Sequence, residues 1–394
     1  MKILFVNTLY APLRTGGAEV SVQTMAEGFA ASGNQVYVLT LGYKESVRKM
    51  NGVIVITIKT KNLYHIDEAE NQPYLKKMIW HLLDSCNPLY KRVFNHLLDR
   101  IKPEVVNTNN IQGFSPYLWK LIKQRNIKLV HTLRDYYLMC HVTTMYTKCG
   151  DCQQLCMGCK LTSTIKKKYF KLPDGYIGIS KFILEQHNHF NIGGGGARTV
   201  IGNGVADKTN VAAEIKAPQS EVVFGFIGKV NQQKGVDYLM AEFAKIPSEL
   251  SFKLVIAGKS DAGFEKSMNA LYKGQLNYQF IGKTDPKAFY QSIDVVIVPS
   301  NWNEPFGRIP IESVAALTPV CIAYKAGLKE LYNETQMWRF DMKENSLFDL
   351  IMSILHDPAQ IIAKAEACKQ PQTNYSPATL NQQLSDFINS IPNE

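Results

Sequence analysis

Pro299-Ser300-Asn301-Trp302-Asn303-Glu304-Pro305-Phe306-Gly307-Arg308-Ile309-Pro310-Ile311-Glu312 follows directly on the apolar run Val295-Val296-Ile297-Val298. Four consecutive β-branched residues stopped by a proline predict a short strand buried on both faces, as a parallel sheet requires. Pro310 suits the first turn of a helix, where its missing N–H would find no partner anyway, and Glu312 then falls one turn inside. The stretch therefore reads as strand, loop and helix start, with Glu304 in the loop and Gly307 permitting close backbone approach to a ligand. Two carboxylates with seven residues between them flank that junction. They can grip hydroxyls at either end of a polar ligand while the intervening amides face its phosphates. A capped helix alone would account for Pro310, but not for two acids and a Phe-Gly pair beside it.

The same apolar run recurs along the chain. Strand candidates are residues 2–7, 35–41, 53–59, 105–107, 128–132, 175–179 and 199–201 in the first half, and 222–227, 252–257, 278–281, 295–299, 320–323 and 338–341 in the second. Helix-length stretches separate them, so the expectation is α/β architecture with two doubly wound domains. The 394 residues also exceed the roughly 250–300 at which a single core stops growing. The boundary is expected between residues 203 and 220, a polar, proline-containing segment. Gly193 to Gly196 are four consecutive glycines, read as a surface loop in preference to a hinge. Ser376 and Pro377 form an N-cap and first-turn pair. Leu380, Leu384, Phe387, Ile388 and Ile391 then mark an amphipathic final helix. No internal repeat is visible, which excludes a solenoid.

Two further turns carry candidate chemistry. Gly16-Gly17 opens the helix after the first strand, as either a tight turn or a phosphate cradle. It lacks the Gly-X-Gly-X-X-Gly dinucleotide fingerprint, which disfavours a nicotinamide or flavin enzyme. The strand 222–227 runs into Gly228-Lys229-Val230-Asn231-Gln232-Gln233-Lys234-Gly235. Lys229 and Lys234 are either solvated cations or, at the carboxyl edge of a parallel sheet, groups that neutralise a departing diphosphate.

Glu304 with Glu312, Lys229 with Lys234, Gly16-Gly17 and the turn Asn203-Gly204-Val205 together resemble the retaining, GT-B-fold glycosyltransferases of family 4, and the likeness runs essentially the whole chain. The resemblance implies two Rossmann-like domains facing a central cleft. The acceptor-binding domain would span residues 1–203, with a Cys-rich insertion at about 140–160, and the nucleotide-sugar domain residues 204–375. Residues 376–394 would form a helix crossing back to the first domain. It implies that Glu304 contacts the transferred sugar, that Glu312 holds the nucleotide ribose, and that Lys229 and Lys234 bind the pyrophosphate. Gly16, Gly17, Phe306, Gly307 and Arg308 would complete the donor site. The family commonly shows Arg at the position of Lys229, and a lysine loses the bidentate fork. It also commonly carries a His-Asp pair after a first-domain strand, where this chain reads Arg134-Asp135 with His131 three residues earlier. Arg134 stays protonated and cannot act as a general base, so it either assists electrostatically or leaves proton handling to another group. No Asp-X-Asp triplet occurs. The leaving group's charge is then expected to be met by lysines and helix N-termini, without a catalytic metal.

Cys140, Cys149, Cys152, Cys156 and Cys159 crowd into twenty residues. In a reducing compartment such a cluster reads as metal binding before disulfides. A structural zinc on Cys149, Cys152, Cys156 and Cys159 stands beside a reduced cysteine-rich loop and an iron–sulfur site as the open readings.

The composition, 45% hydrophobic and 20% charged, places the chain among ordinary globular proteins. Its net charge of +10 is unevenly distributed: residues 1–200 carry 26 basic and 13 acidic side chains, residues 201–394 carry 18 and 21. Lys76, Lys77, Trp80, Lys91, Arg92 and Phe94, together with Lys166 to Lys168, form aromatic and basic stretches. These are either solvated faces with core aromatics or a peripheral surface for anionic lipid. No recognisable nucleic-acid reading module accompanies them. With neither an apolar run of about 18 residues nor a signal-peptide pattern, the expected location is cytoplasmic, or peripheral at the inner membrane face. The expected activity is transfer of a sugar from a nucleotide diphosphate sugar, UDP- or GDP-linked, to a saccharide or lipid-linked saccharide in surface polysaccharide or glycoconjugate assembly. A nucleotide-sugar epimerase on the same fold and a non-catalytic nucleotide-sugar-binding protein are the alternatives.

Overall fold

The computed structural model describes residues 1–13, 16–205, 215, 221–370 and 373–392. The chain divides into two compact units: residues 1–145, 152–206 and 374–394 form the first, residues 146–151 and 207–373 the second. The boundary segment expected at 203–220 lies largely outside the described residues.

Unit 1 holds an eight-stranded sheet. In chain order its strands are β1 (Lys2–Val6), β2 (Gln35–Gly42), β3 (Ser46–Met50), β4 (Val53–Lys59), β5 (Val105–Thr108) and β6 (Lys128–Leu133). A two-stranded hairpin, β7 (Tyr146–Thr147) and β8 (Gly150–Asp151), belongs to unit 2; β9 (Gly175–Gly178) and β10 (Ala197–Val200) complete the sheet. The spatial order is β10-β9-β6-β5-β1-β2-β4-β3. Every pairing is parallel except that of β3 with β4. β3 was not among the expected strands, because the run Ser46 to Met50 is polar and mostly exposed, as an unpaired sheet edge tolerates. The strand β1 is buried from Ile3 to Val6, as expected of a central strand covered by helices on both faces.

Helix Gly17–Ala31 covers one face of this sheet, and the final helix Pro377–Ser390 packs against it. Ser376 caps that final helix by accepting the Thr379 N–H, and Pro377 takes its first turn. Leu380, Leu384, Phe387 and Ile388 bury with Val22, Met25 and Phe29 in one cluster. At the helix's other end, Lys128 Nζ donates to the carbonyls of Ile388 and Ile391, meeting the negative end of its dipole. Gly193 to Gly196 sit in the loop leading into β10, held where the Gly194 N–H donates to the Phe170 carbonyl.

Besides the antiparallel hairpin β7–β8, unit 2 holds a six-stranded sheet, all parallel: β11 (Val222–Ile227), β12 (Phe252–Ala257), β13 (Tyr278–Gly282), β14 (Val295–Val298), β15 (Val320–Ala323) and β16 (Met337–Phe340). Their order, β13-β12-β11-β14-β15-β16, reads 3-2-1-4-5-6 within the unit, the Rossmann arrangement. Unit 1 repeats it from β4 through β2, β1 and β5 to β6, β9 and β10. Among the described residues no helix is long and apolar enough to cross a membrane.

Candidate active site

In an open doubly wound sheet, ligands bind beyond the carboxyl ends of the strands where the strand order reverses. In unit 2 that point lies between β11 and β14, paired at Phe224 with Val295 and Gly225 with Val296. The loops leaving these two strands are 228–235 and 299–308, so topology brings the two lysines and the two acids to one place. Hydrogen bonds close the loops onto each other: the Trp302 N–H donates to the Gln233 carbonyl at 3.1 Å, and the Asn301 amide donates to the Gln232 carbonyl at 3.0 Å. Gly235 is required at this seam. Its φ is +74°, and a Cβ there would stand 1.7 Å from the Pro299 carbonyl oxygen.

Lys234 and Glu304 meet across the seam. Lys234 Nζ donates to Glu304 Oε1 at 2.8 Å and lies 4.9 Å from the centre of the Trp302 ring. Glu304 is buried, with 6% of its surface exposed, and that ammonium is its counter-charge. Gly307 sits under it with φ +90°, where an added Cβ would press 2.4 Å from Leu328 and 3.5 Å from Glu304 Oε2. Phe306 is buried beside them.

The remaining donor-site residues form two further pairs. Arg308 Nε donates to Glu312 Oε1 at 2.9 Å, and its NH2 lies 2.8 Å from the same oxygen. The Tyr290 hydroxyl donates to Glu312 Oε2 at 3.4 Å. Burial, and next the Glu312 charge, raise the Tyr290 phenol well above its ordinary value, so it remains a donor. Lys229 pairs with Asp261 at 2.8 Å, both half exposed. Burial pushes the Asp261 carboxyl up, yet hydrogen bonds from Lys229 and Asn231 outweigh it and hold it below its usual value. Asn231 links this pair to the other lysine: its amide donates to Asp261, and its oxygen accepts the Lys234 N–H.

Like Asp261, Tyr290 and Lys325, one further residue of this site was not expected. Asp151, in the hairpin β7–β8, accepts the Asn303 N–H at 2.9 Å and pairs with Lys325 Nζ at 2.9 Å. Lys325 also donates to the Asn301 carbonyl at 2.5 Å. The loop carrying Glu304 is thus braced from below by a carboxylate far away in sequence. The sequence holds no signal for it beyond a lone acid inside a cysteine-rich stretch.

In unit 1, Gly16 and Gly17 open helix Gly17–Ala31 and are exposed. The Gly16 N–H donates to Glu19 Oε2 at 2.8 Å, so a carboxylate of the chain itself meets this helix start. Arg134 is buried: Nε donates to Asn109 Oδ1 at 2.8 Å and NH1 to Asn203 Oδ1 at 2.5 Å. Asp135 accepts the Tyr137 N–H at 2.8 Å, and burial pushes its carboxyl up to about 6. His131 is packed away from chemistry, with Nδ1 2.9 Å from Thr108 Oγ1 and its ring against Trp119. Burial drives its pKa down to about 3, so it is a neutral core residue.

Lys166 lies neither on a solvated face nor on a peripheral lipid-binding surface, the two alternatives expected for its basic run. It is buried, donates to the Tyr137 carbonyl at 2.6 Å and lies 3.5 Å from the centre of the Tyr137 ring. Burial lowers its pKa to about 8 against the opposing pull of Asp84. Trp80 and Phe94 likewise join the core. The cysteines also regroup. Among the described residues, the metal-sized cluster is His141, Cys156 and Cys159, and neither Cys149 nor Cys152 belongs to it. Cys149 is exposed in the hairpin segment, and the Cys152 N–H closes the hairpin base on the Met145 carbonyl.

Comparison with known proteins agrees with this arrangement. Residues 207–374 match the family described as glycosyl transferases group 1, and residues 15–208 match glycosyltransferase family 4. A Klebsiella pneumoniae relative, an uncharacterized 42.6 kDa protein in a cps region, is 32% identical over 337 residues, 84% of this chain and 87% of that protein. Sucrose-phosphate synthase from Thermosynechococcus elongatus shares the fold with a TM-score of 0.77 at 20% identity, covering 98% of each chain. Anabaena HepE, solved in complex with UDP, shares it with a TM-score of 0.72 at 17% identity, covering 99% of this chain and 100% of the other. The chain belongs to the group 1, family 4 glycosyltransferases and is a transferase enzyme built from two Rossmann-like units of the GT-B type.

Proposed function

We propose that the enzyme moves a sugar from a nucleotide diphosphate sugar, UDP- or GDP-linked, to a saccharide or lipid-linked saccharide in surface polysaccharide or glycoconjugate assembly. The observation that carries this reading is the Lys234–Glu304 pair at the reversal point of unit 2. Before the donor binds, the ammonium neutralises the buried carboxylate. A diphosphate arriving at the loop 228–235 competes for Lys234, and Glu304 is then free to accept hydrogen bonds from the hydroxyls of the sugar. Lys229 exchanges Asp261 for phosphate oxygen at little cost, since exposed ion pairs contribute only about 0–1 kcal/mol. Glu312, already steered by Arg308 and Tyr290, takes the ribose hydroxyls. The UDP complex of the HepE neighbour supports a nucleotide donor, and the cps-region relative supports the assembly role.

Transfer proceeds with retention and without a metal ion. The bond from the anomeric carbon to the phosphate oxygen breaks as the acceptor hydroxyl attacks on the same face. The acceptor's proton passes to the departing phosphate oxygen. Lys234, Lys229 and the amides of the 228–235 loop meet the growing negative charge, a preorganised electrostatic contribution. On the acceptor side, in unit 1, Arg134, fixed by Asn109 and Asn203, takes no proton, while Asp135 orients acceptor hydroxyls.

A lipid-linked acceptor is favoured by one surface. On helix Tyr74–Ser85, Tyr74, Leu75, Met78, Ile79 and Leu82 are exposed, with Tyr74 at 78% and Leu75 at 69%. Lys76 and Lys77 belong to the same helix, and Lys91 and Arg92 open the next one. Apolar exposure with a basic border is what an anionic bilayer surface binds.

The deciding experiment supplies UDP- and GDP-sugars with soluble and lipid-linked acceptors and measures nucleoside diphosphate release, with and without chelator. Acceptor-dependent release and a product of unchanged anomeric configuration are expected. Donor binding without release would favour a non-catalytic binding protein, and conversion of the donor sugar without release would favour an epimerase.

A further inference from the structure

The loop that follows Asp135 returns to helix Met157–Lys167, and the two meet through sulfur and nitrogen. Cys159 Sγ lies 3.3 Å from His141 Nδ1. Cys156 is the N-cap of the helix, and its Sγ accepts the Cys159 N–H at 3.5 Å. The ligand atoms of His141, Cys156 and Cys159 all stand within 4.8 Å of one another. Cys140 is buried next to His141 in sequence, on the chain that carries this imidazole. A tetrahedral zinc site with Zn–S about 2.3 Å and Zn–N about 2.0 Å sets its ligand atoms about 3.5–3.8 Å apart. Those three ligand atoms need only a small contraction to reach that geometry; Cys140, outside the cluster, has to move in to supply the fourth.

We infer that Cys140, His141, Cys156 and Cys159 form a structural zinc site of three thiolates and one imidazole. The inference is independent of the proposed donor and acceptor. It also replaces the four-cysteine set that spacing in the sequence suggests, because Cys149 is taken up by the hairpin. Charge balance favours it: three thiolates and a neutral imidazole around a divalent ion leave one net negative charge, and the buried Lys166, which interacts with both Cys140 and Cys159, supplies the compensating positive one. The site clamps both ends of the segment between Arg134-Asp135 and helix Met157–Lys167. Its role is to hold that loop, since all four positions are filled by protein and none remains for a reacting water.

The test uses the full chain, purified without added metal. Elemental analysis should find about one zinc per chain, as a closed structural site requires. After chelation, cobalt(II) added alone should give the thiolate-to-cobalt charge transfer and the visible bands of tetrahedral coordination. His141→Ala and Cys156→Ser, both at positions that are not fully buried, should weaken cobalt binding more than about tenfold, since even outer partners of a metal ligand contribute that much. Cys140→Ser should lower the charge-transfer intensity, while Cys149→Ser and Cys152→Ser should leave binding and spectrum unchanged. Circular dichroism of each variant separates ligand loss from failure to fold, and the wild-type titration needs no variant. Metal below about a tenth of an equivalent together with no tetrahedral cobalt spectrum would overturn the site. So would iron in place of zinc, a Cys140–Cys159 disulfide in fresh protein, or cobalt binding that depends on Cys149 and Cys152.

Discussion

Lys234 Nζ lies 2.8 Å from Glu304 Oε1, although the two residues are 70 positions apart, because the loops after β11 and β14 leave adjacent strands. Replacing Lys234 by Ala removes both the counter-charge of a buried carboxylate and the cation proposed to meet the leaving diphosphate. Turnover should fall about 100-fold or more, the loss seen when one preorganised transition-state partner is removed. Glu304→Gln should lose activity comparably while keeping its melting temperature near wild type, since a neutral amide needs no ammonium. Steady-state kinetics with thermal melts check both, and an unchanged rate in Lys234→Ala would remove the electrostatic argument.

Glu312 acts at the other end of the same loop, and the expected defect differs in kind. Arg308 and Tyr290 already orient its carboxylate, which is proposed to accept the ribose hydroxyls. Hydrogen bonds to a charged group contribute about 1.5–3 kcal/mol. Glu312→Ala should therefore raise the donor KM about ten- to a hundredfold and change kcat far less. A kcat loss as large as that of Glu304→Gln would mean that Glu312 touches the reacting sugar instead.

Burial lowers the pKa of His187 to about 4. Its Nδ1 donates to the Ile183 carbonyl at 2.8 Å, and Nε2 is buried without a partner among the described residues. The unfolded chain takes up a proton at this site near pH 6.5, whereas the folded chain resists until about pH 4. Stability from this group is full above the unfolded value and falls as pH drops between the two. Relative to His187→Leu, the wild type should lose about 2 kcal/mol between pH 7 and pH 5, from 1.36 kcal/mol per pH unit. Denaturant melts of both proteins measure the gap directly. The comparison cancels Asp84 and Asp135, whose raised carboxyl pKa values act in the opposite sense.

The strands were legible because their residues are apolar and β-branched in short blocks, and 53–59, 222–227, 252–257 and 320–323 have the bounds expected of them. Edge strand β3 was not, since Ser46 to Met50 is stabilised by pairing with β4 and has no apolar pattern of its own. The lysines and acids proposed for the donor site were legible as local motifs, but their partners were not. Asp261 and Asp151 reach Lys229, Lys325 and the Asn303 amide through tertiary packing, and no local spacing encodes that. Lys166 was misplaced for the same reason: a lysine in a basic run looks solvated until the carbonyl of Tyr137 and the acids around it are known. The cysteine spacing pointed to a segment in which His141, Cys156 and Cys159 converge among the described residues, while the hairpin Tyr146–Asp151 interrupts the run and takes Cys149 with it.

Leu75 and Ile79 stand four residues apart on one exposed face of helix Tyr74–Ser85, with Tyr74, Met78 and Leu82 beside them. An apolar stripe of this size in water has no folding role, because Trp80 and Asp84 on the opposite face already make the buried contact. If it serves an anionic bilayer, two terms should be separable: apolar insertion, insensitive to salt, and attraction to Lys76, Lys77, Lys91 and Arg92, screened by salt over a Debye length of about 10 Å at 0.1 M. The double variant Leu75→Glu with Ile79→Glu should lose flotation with anionic vesicles altogether. Lys76→Gln with Lys77→Gln should weaken it in low salt and matter less in high salt. Both variants should retain wild-type turnover on a water-soluble acceptor and slow down on a bilayer-embedded one. Flotation that ignores lipid charge, or survives both acids, would show that this face meets something other than an anionic membrane.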